Sequence, residues 1–87
     1  MSYYAYVIYS DSHQRFYKGH CSDLDKRLKE HNAGKTKSII GFIPFRLVYF
    51  EKFETRKEAI LREKYFKTAA GRRFIKLKLW HKRLISS

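Results

Sequence analysis

The pattern of apolar and polar positions changes period several times along the chain, and its first half predicts a β-hairpin. Residues 3–9 carry aromatic and aliphatic side chains at both parities, which is typical of a strand covered on both faces. A polar turn at 10–13 separates them from a second strand-like run at 15–20. Two adjacent strands joined by so short a turn are predicted to pair with each other.

Helical spacing and a third strand follow the hairpin. Ser22 is predicted as the N-cap of a first helix that ends at the stop signal 32–34. Pro44 precedes an apolar third strand at 45–50. A capping box at 55–58 then begins a second helix, which is predicted to run to about residue 67.

The last predicted element is a strongly basic helix over 72–84, separated from the second helix by a break at 69–71. Its predicted packing side consists of Phe74, Leu77, Trp80, Leu84 and Ile85. The order β-β-α-β-α-α predicts an α+β fold, a small three-stranded antiparallel or mixed sheet flanked by helices. We expect one domain over residues 1–83 and a short C-terminal tail at 84–87.

Residues 35–43 are predicted to form a loop whose second half, 39–43, is apolar. Such a cluster either folds back onto the core or marks a surface for self-association. The expected state is therefore a monomer or a weak homodimer.

Composition changes this picture mainly through charge. The 87 residues include 20 Lys and Arg against 8 Asp and Glu, a formal net charge of +12. This excess indicates a polyanionic partner, nucleic acid first and an anionic membrane surface second. No apolar run has the length of a membrane span. The single cysteine, Cys21, excludes an internal disulfide and a cysteine-cluster zinc site, and with no signal pattern at the N-terminus it favours a cytoplasmic protein.

One face of the first predicted helix carries candidate chemistry. At 100° per residue, Arg27 and His31 share an arc with two leucines, whereas Lys26 and Lys29 point the opposite way. An arginine turned toward the sheet can hold a phosphate oxygen with its planar fork. Alternatively, Arg27 is simply the ion-pair partner of a carboxylate, either Glu63 or Asp25.

Glu63 lies in the middle of the apolar arc of the second helix, where an unpaired carboxylate is costly. Two interpretations stay open. Glu63 forms a buried salt bridge to Lys67 or Arg27, or it is a ligand for Mg²⁺ or Mn²⁺. One carboxylate with waters and phosphate oxygens is enough for such a metal site.

Tyr17, on the second strand, is either a core residue or a phenol that accepts a proton near an attacked phosphorus. His20 and His31 titrate in a useful range but are also compatible with ordinary hydrogen-bonded positions. The basic side chains of the last helix predict a track for a phosphate backbone without recognition of particular bases. The predicted nucleic-acid contacts are His20, Lys26, Lys35, Lys37, Arg72, Arg73 and Lys76.

These residues, in this order, resemble the GIY-YIG nuclease domain, and in particular its short stand-alone bacterial members. The first signature triplet corresponds to residues 4–6 and the second to residues 17–19. Arg27 follows the second tyrosine by ten positions, and His31 lies one helical turn further on. Glu63 falls at the metal-binding glutamate of the family. The resemblance covers nearly the whole chain.

The resemblance implies a metal-dependent endonuclease that hydrolyses phosphodiester bonds in DNA with Mg²⁺ or Mn²⁺. In that scheme Tyr17 helps to activate the attacking water, with His31 as its candidate helper, and Tyr6 supports the site through hydrogen bonding. Arg27 steadies the phosphate and Glu63 holds the metal ion. The alternative is a non-catalytic nucleic-acid-binding module that keeps the same fold.

Overall fold

The computed structural model describes residues 1–82, in which three strands form one antiparallel sheet. The strands are β1 (Tyr3–Ser10), β2 (Arg15–Cys21) and β3 (Arg46–Phe53), arranged in the order β2-β1-β3. The hairpin of β1 and β2 has the predicted pairing, and β3 adds to the other side of β1. The central strand is therefore β1, and β2 and β3 are the two edges.

Three helices complete the predicted order β-β-α-β-α-α. They are α1 (Leu24–Asn32), α2 (Arg56–Phe66) and α3 (Ala69–His81). A short 3₁₀ turn, Lys37–Phe42, lies within the segment predicted as a loop. The α+β fold with a three-stranded antiparallel sheet is thus confirmed.

Local side-chain caps determine where the helices begin. The Asp23 carboxylate accepts a hydrogen bond from the Lys26 amide at 3.1 Å, so Asp23 caps α1 and the prediction of Ser22 as the cap was wrong. The reason is that β2 extends to Cys21, which leaves Ser22 in the bend before the cap. At α2 the predicted N-cap is present, because the Thr55 hydroxyl accepts from the Glu58 amide at 3.2 Å. The Glu58 carboxylate of the predicted capping box accepts from the Thr55 hydroxyl at 2.8 Å.

The junction between α2 and α3 depends on Gly71. This glycine was predicted to lie in a break, but α3 already begins at Ala69, and the Thr68 hydroxyl accepts from the Gly71 amide at 3.0 Å. A Cβ atom at Gly71 would lie 1.8 Å from the backbone oxygen of Tyr65. The glycine therefore allows the first turn of α3 to contact the last turn of α2 directly.

Each face of the sheet contributes to a separate buried apolar cluster. On the face under α1, the buried members are Tyr6, Ile8, Cys21, Ile39 and Phe45. On the face under α2 and α3, they are Ala5, Val7, Val48, Phe66, Ile75 and Leu79. Because side chains alternate along a strand, β1 supplies both clusters, as its two-sided apolar pattern predicted.

The packing side of α3 differs from the prediction in two positions. Leu77 and Trp80 are 51% and 52% exposed, so their placement in the core was wrong, while Ile75 and Leu79 are buried. The earlier start of α3 explains the difference, because Gly71, Ile75 and Leu79 follow each other at four-residue spacing along one stripe. Leu84, Ile85 and the predicted domain boundary at 83/84 lie outside the described residues.

The apolar segment 39–43 largely folds back onto the sheet. Ile39 is 7% exposed and belongs to the cluster under α1, whereas Ile40 is half exposed. Of the two alternatives for this segment, return to the core therefore accounts for its most buried residue. No helix within residues 1–82 has the length and apolar character needed to cross a bilayer.

Candidate active site

The site is built around Tyr6, which lies across the neighbouring strand at Gly19. The two residues are paired in the register of β1 and β2, and Tyr6 is only 2% exposed. A Cβ atom at position 19 would lie 2.4 Å from the Tyr6 hydroxyl oxygen and 2.6 Å from the ring carbon that carries it. Glycine is therefore required at this position because the tyrosine ring occupies the space above it.

A buried chain of hydrogen bonds runs from Arg27 through Tyr6 to His31 and Thr36. The Tyr6 hydroxyl lies 2.7 Å from His31 Nε2, and the Thr36 hydroxyl lies 2.9 Å from His31 Nδ1. Arg27 also bonds the Tyr6 hydroxyl and can only donate. Tyr6 therefore donates its own proton to His31 Nε2, and the Nδ1–H of a neutral imidazole donates to Thr36.

Burial fixes the protonation states of this chain. It lowers the pKa of His31 below 6.5, an effect that the nearby positive charge of Arg27 reinforces. Burial also raises the pKa of Tyr6, although Arg27 acts in the opposite direction. His31 is fully buried and both groups are neutral near pH 7, so Arg27 carries the charge of the chain.

Arg27 lies at the border between the core and solvent. Its Nη1 atom donates to Glu30 Oε1 at 3.2 Å, and its side chain is 36% exposed. Burial lowers the pKa of Arg27, but its bonds to Tyr6 and Glu30 outweigh this and raise it overall. The predicted orientation of Arg27 toward the sheet is confirmed. Its ion-pair partner is Glu30, and the alternatives predicted from the sequence, Glu63 and Asp25, do not pair with it.

Tyr17 completes this group on the same face of the sheet. Its ring centroid is 5.1 Å from that of His31, with the planes inclined at 64°. It packs partly buried against the cluster that contains Tyr6. The structure therefore brings four of the five predicted catalytic residues together, namely Tyr6, Tyr17, Arg27 and His31.

The fifth residue, Glu63, has a different set of neighbours. Its Oε1 accepts from His20 Nδ1 and its Oε2 accepts from Lys67 Nζ, both at 2.7 Å, and its side chain is 17% exposed. Burial raises the pKa of the Glu63 carboxyl, but the hydrogen bonds from Lys67 and His20 prevail and hold it below 4.5. Of the ion pairs considered from the sequence, the one to Lys67 forms.

The two sets of residues lie on either side of the edge strand β2. Tyr17 faces α1 together with Arg27, whereas His20, at the opposite parity, faces α2 and bonds Glu63. His20, predicted as a nucleic-acid contact, is thus a partner of the carboxylate. Because a carboxylate can only accept, His20 Nδ1 carries the hydrogen of this bond.

The Glu63 carboxylate has the chemistry required for a hard divalent cation. It is ionised at neutral pH, and its Oε2 atom already binds one cation, the Lys67 ammonium group. Lys67 is 53% exposed on a flexible stem, so a metal ion can replace it. No group of three His, Cys, Asp or Glu suited to a metal occurs in residues 1–82, and such an ion would take further ligands from water and substrate phosphate.

The predicted basic contacts fall into two patches of exposed side chains. One, beside α1, consists of Lys26, Lys35 and Lys37, and the other, on α3, consists of Arg72, Arg73 and Lys76. The second patch extends to Lys18 of β2. Burial lowers the pKa of Lys18, and the positive charges of Arg72, Lys67 and Lys76 lower it further.

Sequence reasoning missed Lys18 and Thr36. The available signal for Lys18 was a charged residue within the second signature triplet, residues 17–19. Its side chain lies on the opposite face of β2 from Tyr17, toward the basic helix α3. Thr36 follows the α1 stop signal in a segment without periodicity, and nothing in the pattern indicated its bond to His31.

Residues 2–76 match the GIY-YIG catalytic domain. The chain belongs to this family. The match includes every residue of the Arg27–Tyr6–His31–Thr36 chain as well as Glu63, and it supports a nuclease-type activity, with nucleic acid as the substrate class.

The chain is also similar to small UPF0213 proteins of bacteria and archaea. The chain is 39% identical over 67 residues to a UPF0213 protein of Haloquadratum walsbyi, covering 76% of this chain and 74% of that protein. It is 42% identical to a UPF0213 protein of Bacillus licheniformis, covering 76% and 68%. The solution NMR structure of a UPF0213 protein from Bacillus halodurans superposes with a TM-score of 0.51 at 33% identity, covering 88% of this chain and 82% of that one.

Proposed function

We propose that this protein is a metal-dependent endonuclease that hydrolyses phosphodiester bonds in DNA. The observation that carries the proposal is the buried chain from Arg27 through Tyr6 to His31, with Tyr17 against the same histidine. A binding module gains nothing from a histidine and a tyrosine buried in neutral form next to a half-exposed arginine. A nuclease uses them to orient one cation and one proton acceptor toward a phosphate.

Arg27 binds the scissile phosphate in this proposal. Tyr6 and Glu30 fix the guanidinium from two sides, and the exposed part of its fork faces solvent. A charged donor held in this way stabilises the negative charge that develops on phosphate oxygens in the transition state. Because Tyr6 and His31 are neutral, they orient Arg27 without cancelling its charge.

Tyr17 is the candidate proton acceptor for the attacking water. Its ring packs at 5.1 Å from the His31 ring, and Arg27 lies in the same network. A phenol needs a neighbouring cation to act as a base near neutral pH, and Arg27 is such a cation. His31 acts through Tyr6 and Tyr17 by fixing their positions.

Glu63 would hold the metal ion, Mg²⁺ or Mn²⁺, at the carboxylate oxygen that Lys67 now contacts. When bound, the ion supplies Lewis-acid stabilisation of phosphate oxygens. His20 keeps the carboxylate oriented through Nδ1–H. The DNA strand would then follow the edge of β2, with Arg27 on one face of the sheet and Glu63 on the other.

The test is cleavage of supercoiled plasmid and of short DNA with Mg²⁺ or Mn²⁺. Glu63→Gln and Arg27→Ala are each expected to slow cleavage about 100-fold, the usual effect of removing one charge-stabilising group. Glu58→Gln, an exposed change on the same helix as Glu63, is the matched control and should cleave like wild type. Equal cleavage by all four proteins contradicts the proposal. Binding without cleavage by wild type favours the non-catalytic module.

A further inference from the structure

An aromatic pair, the exposed Phe50 and the partly buried Tyr4, lies on the sheet face that carries the candidate site. Phe50 of β3 is 49% exposed, and its ring packs against that of Tyr4 of β1 with centroids 5.9 Å apart and planes at 71°. Phe50 belongs to neither of the two buried clusters. A large aromatic side chain held in place with half of its surface in water is well suited to bind another flat, apolar group.

The register of the sheet places this pair directly beside the candidate catalytic residues. Tyr6 is paired with Phe50 on one side and with Gly19 on the other, so the three residues form one row across the sheet. In the next row Tyr4 is paired with Lys52 and Cys21. Side chains two residues apart share a face, so Phe50 and the exposed Lys52 lie on the same face as Tyr6.

We propose that Tyr4 and Phe50 form a stacking platform for an unpaired nucleobase of the substrate, across β1 from the proposed path of the scissile strand along β2. A nucleobase stacks on an exposed aromatic ring whatever its identity, and Lys52 supplies a cation for the adjoining backbone. The net charge of +12 and the position of Phe50 beside Tyr6 in the sheet favour a nucleic acid over an apolar protein partner. The platform thus deepens the proposed function, on which it rests, by selecting DNA with an unpaired base near the cleavage point.

The test measures base stacking separately from cleavage. A duplex with one unpaired 2-aminopurine, and the matching full duplex, are titrated with protein in EDTA, following 2-aminopurine emission and anisotropy of an end label. Phe50→Leu keeps an apolar side chain but removes the ring, and Phe50→Tyr keeps the ring. Leu61→Ala, which truncates an equally exposed side chain on α2, is the control. Circular dichroism verifies that each variant is folded.

Wild type, Phe50→Tyr and Leu61→Ala are expected to change 2-aminopurine emission on binding and to prefer the unpaired DNA. Phe50→Leu should lose the emission change and bind the unpaired DNA about 10-fold more weakly, because leucine offers no ring on which the base can stack. Its affinity for the full duplex should stay unchanged. If Phe50→Leu behaves like wild type, or weakens both DNAs equally, the platform is wrong.

Binding in EDTA does not require turnover, so this result is distinguishable from failure of the nuclease proposal. A platform that stacks bases in a protein whose Glu63→Gln variant cleaves like wild type overturns only the assignment of the metal site. Conversely, loss of cleavage in Glu63→Gln with no stacking signal overturns only the platform.

Discussion

Each face of the sheet holds a polar network with one tyrosine and one arginine, and the two networks differ in how the arginine is neutralised. Under α2 and α3, Arg62 makes two bonds to Glu51, at 2.7 and 3.1 Å, and the Tyr49 hydroxyl donates to the same carboxylate at 2.5 Å. The Arg62 guanidinium also lies 4.6–5.2 Å from the ring centroids of Tyr65, Phe66 and Phe74. In this network the Glu51 carboxylate pairs with the Arg62 guanidinium through two bonds, so the network has a structural role.

Under α1, Arg27 bonds a neutral tyrosine and one oxygen of the partly exposed Glu30. No carboxylate within the described part of the chain holds Arg27 by the two-bond fork that Arg62 has. The same residue types therefore build a structural support on one face and, in the proposed function, an anion site on the other. The difference lies in whether a carboxylate satisfies the guanidinium fork.

The largest expected effect comes from exchanging each arginine for lysine, which removes the fork but keeps the charge. Arg27→Lys is expected to slow cleavage about 100-fold while the free energy of unfolding changes by less than about 1 kcal/mol. Arg62→Lys is expected to lower the free energy of unfolding by about 2 kcal/mol and to leave the cleavage rate of the folded protein unchanged. Urea unfolding and plasmid cleavage measure the two effects. Equal losses of stability would remove the distinction between the networks.

A smaller effect is expected from Gly19→Ala, which tests how tightly the Tyr6 side is packed. The added Cβ collides with the Tyr6 hydroxyl, so the free energy of unfolding should fall by about 2 kcal/mol and cleavage should weaken with it. The matched control is Gly41→Ala, because a Cβ at position 41 has no neighbour within 4 Å. A Gly19→Ala variant as stable and active as Gly41→Ala would show that Tyr6 has no fixed place over β2.

The smallest expected effect is that the two networks lose their contributions to stability in different pH ranges. The pKa of His31 is depressed in the folded protein, so the unfolded chain binds the proton more readily and stability falls as pH drops below 6.5. The pKa values of Glu51 and Glu63 are also depressed, and the stability that depends on them falls only below 4.5. Urea unfolding as a function of pH should therefore show two declines, and His31→Asn should remove the upper one. Persistence of that decline in the variant would assign it to another group.

Much of the fold was predictable because its signals are local. The two-sided apolar run of β1 and the Thr55 N-cap of α2 each depend on a few neighbouring residues, and both are present. The prediction for α3 was partly wrong because its start is set by contact between Gly71 and the α2 backbone, which a sequence period does not contain. Long-range packing decided which apolar residues of α3 are buried.

The site was predictable to the extent that helical spacing fixes direction. The spacing of Arg27 and His31 placed both toward the sheet, and the structure places them with Tyr6 and Tyr17. The neighbours of Glu63 could not be derived in the same way, because they depend on which face of β2 the second helix covers. That choice is made by tertiary packing, and it gave His20 a role as the partner of Glu63.

The glycine at the α2–α3 junction has a consequence for how the two helices move. Because Gly71 lets the first turn of α3 contact the backbone of α2, the helix that carries Glu63 and the helix that carries Arg72, Arg73 and Lys76 are expected to move as one unit. In the proposed function, a shift of these basic side chains on the substrate backbone would therefore also shift the Glu63 carboxylate. A larger side chain at position 71 would separate these two movements while leaving every charged residue in place.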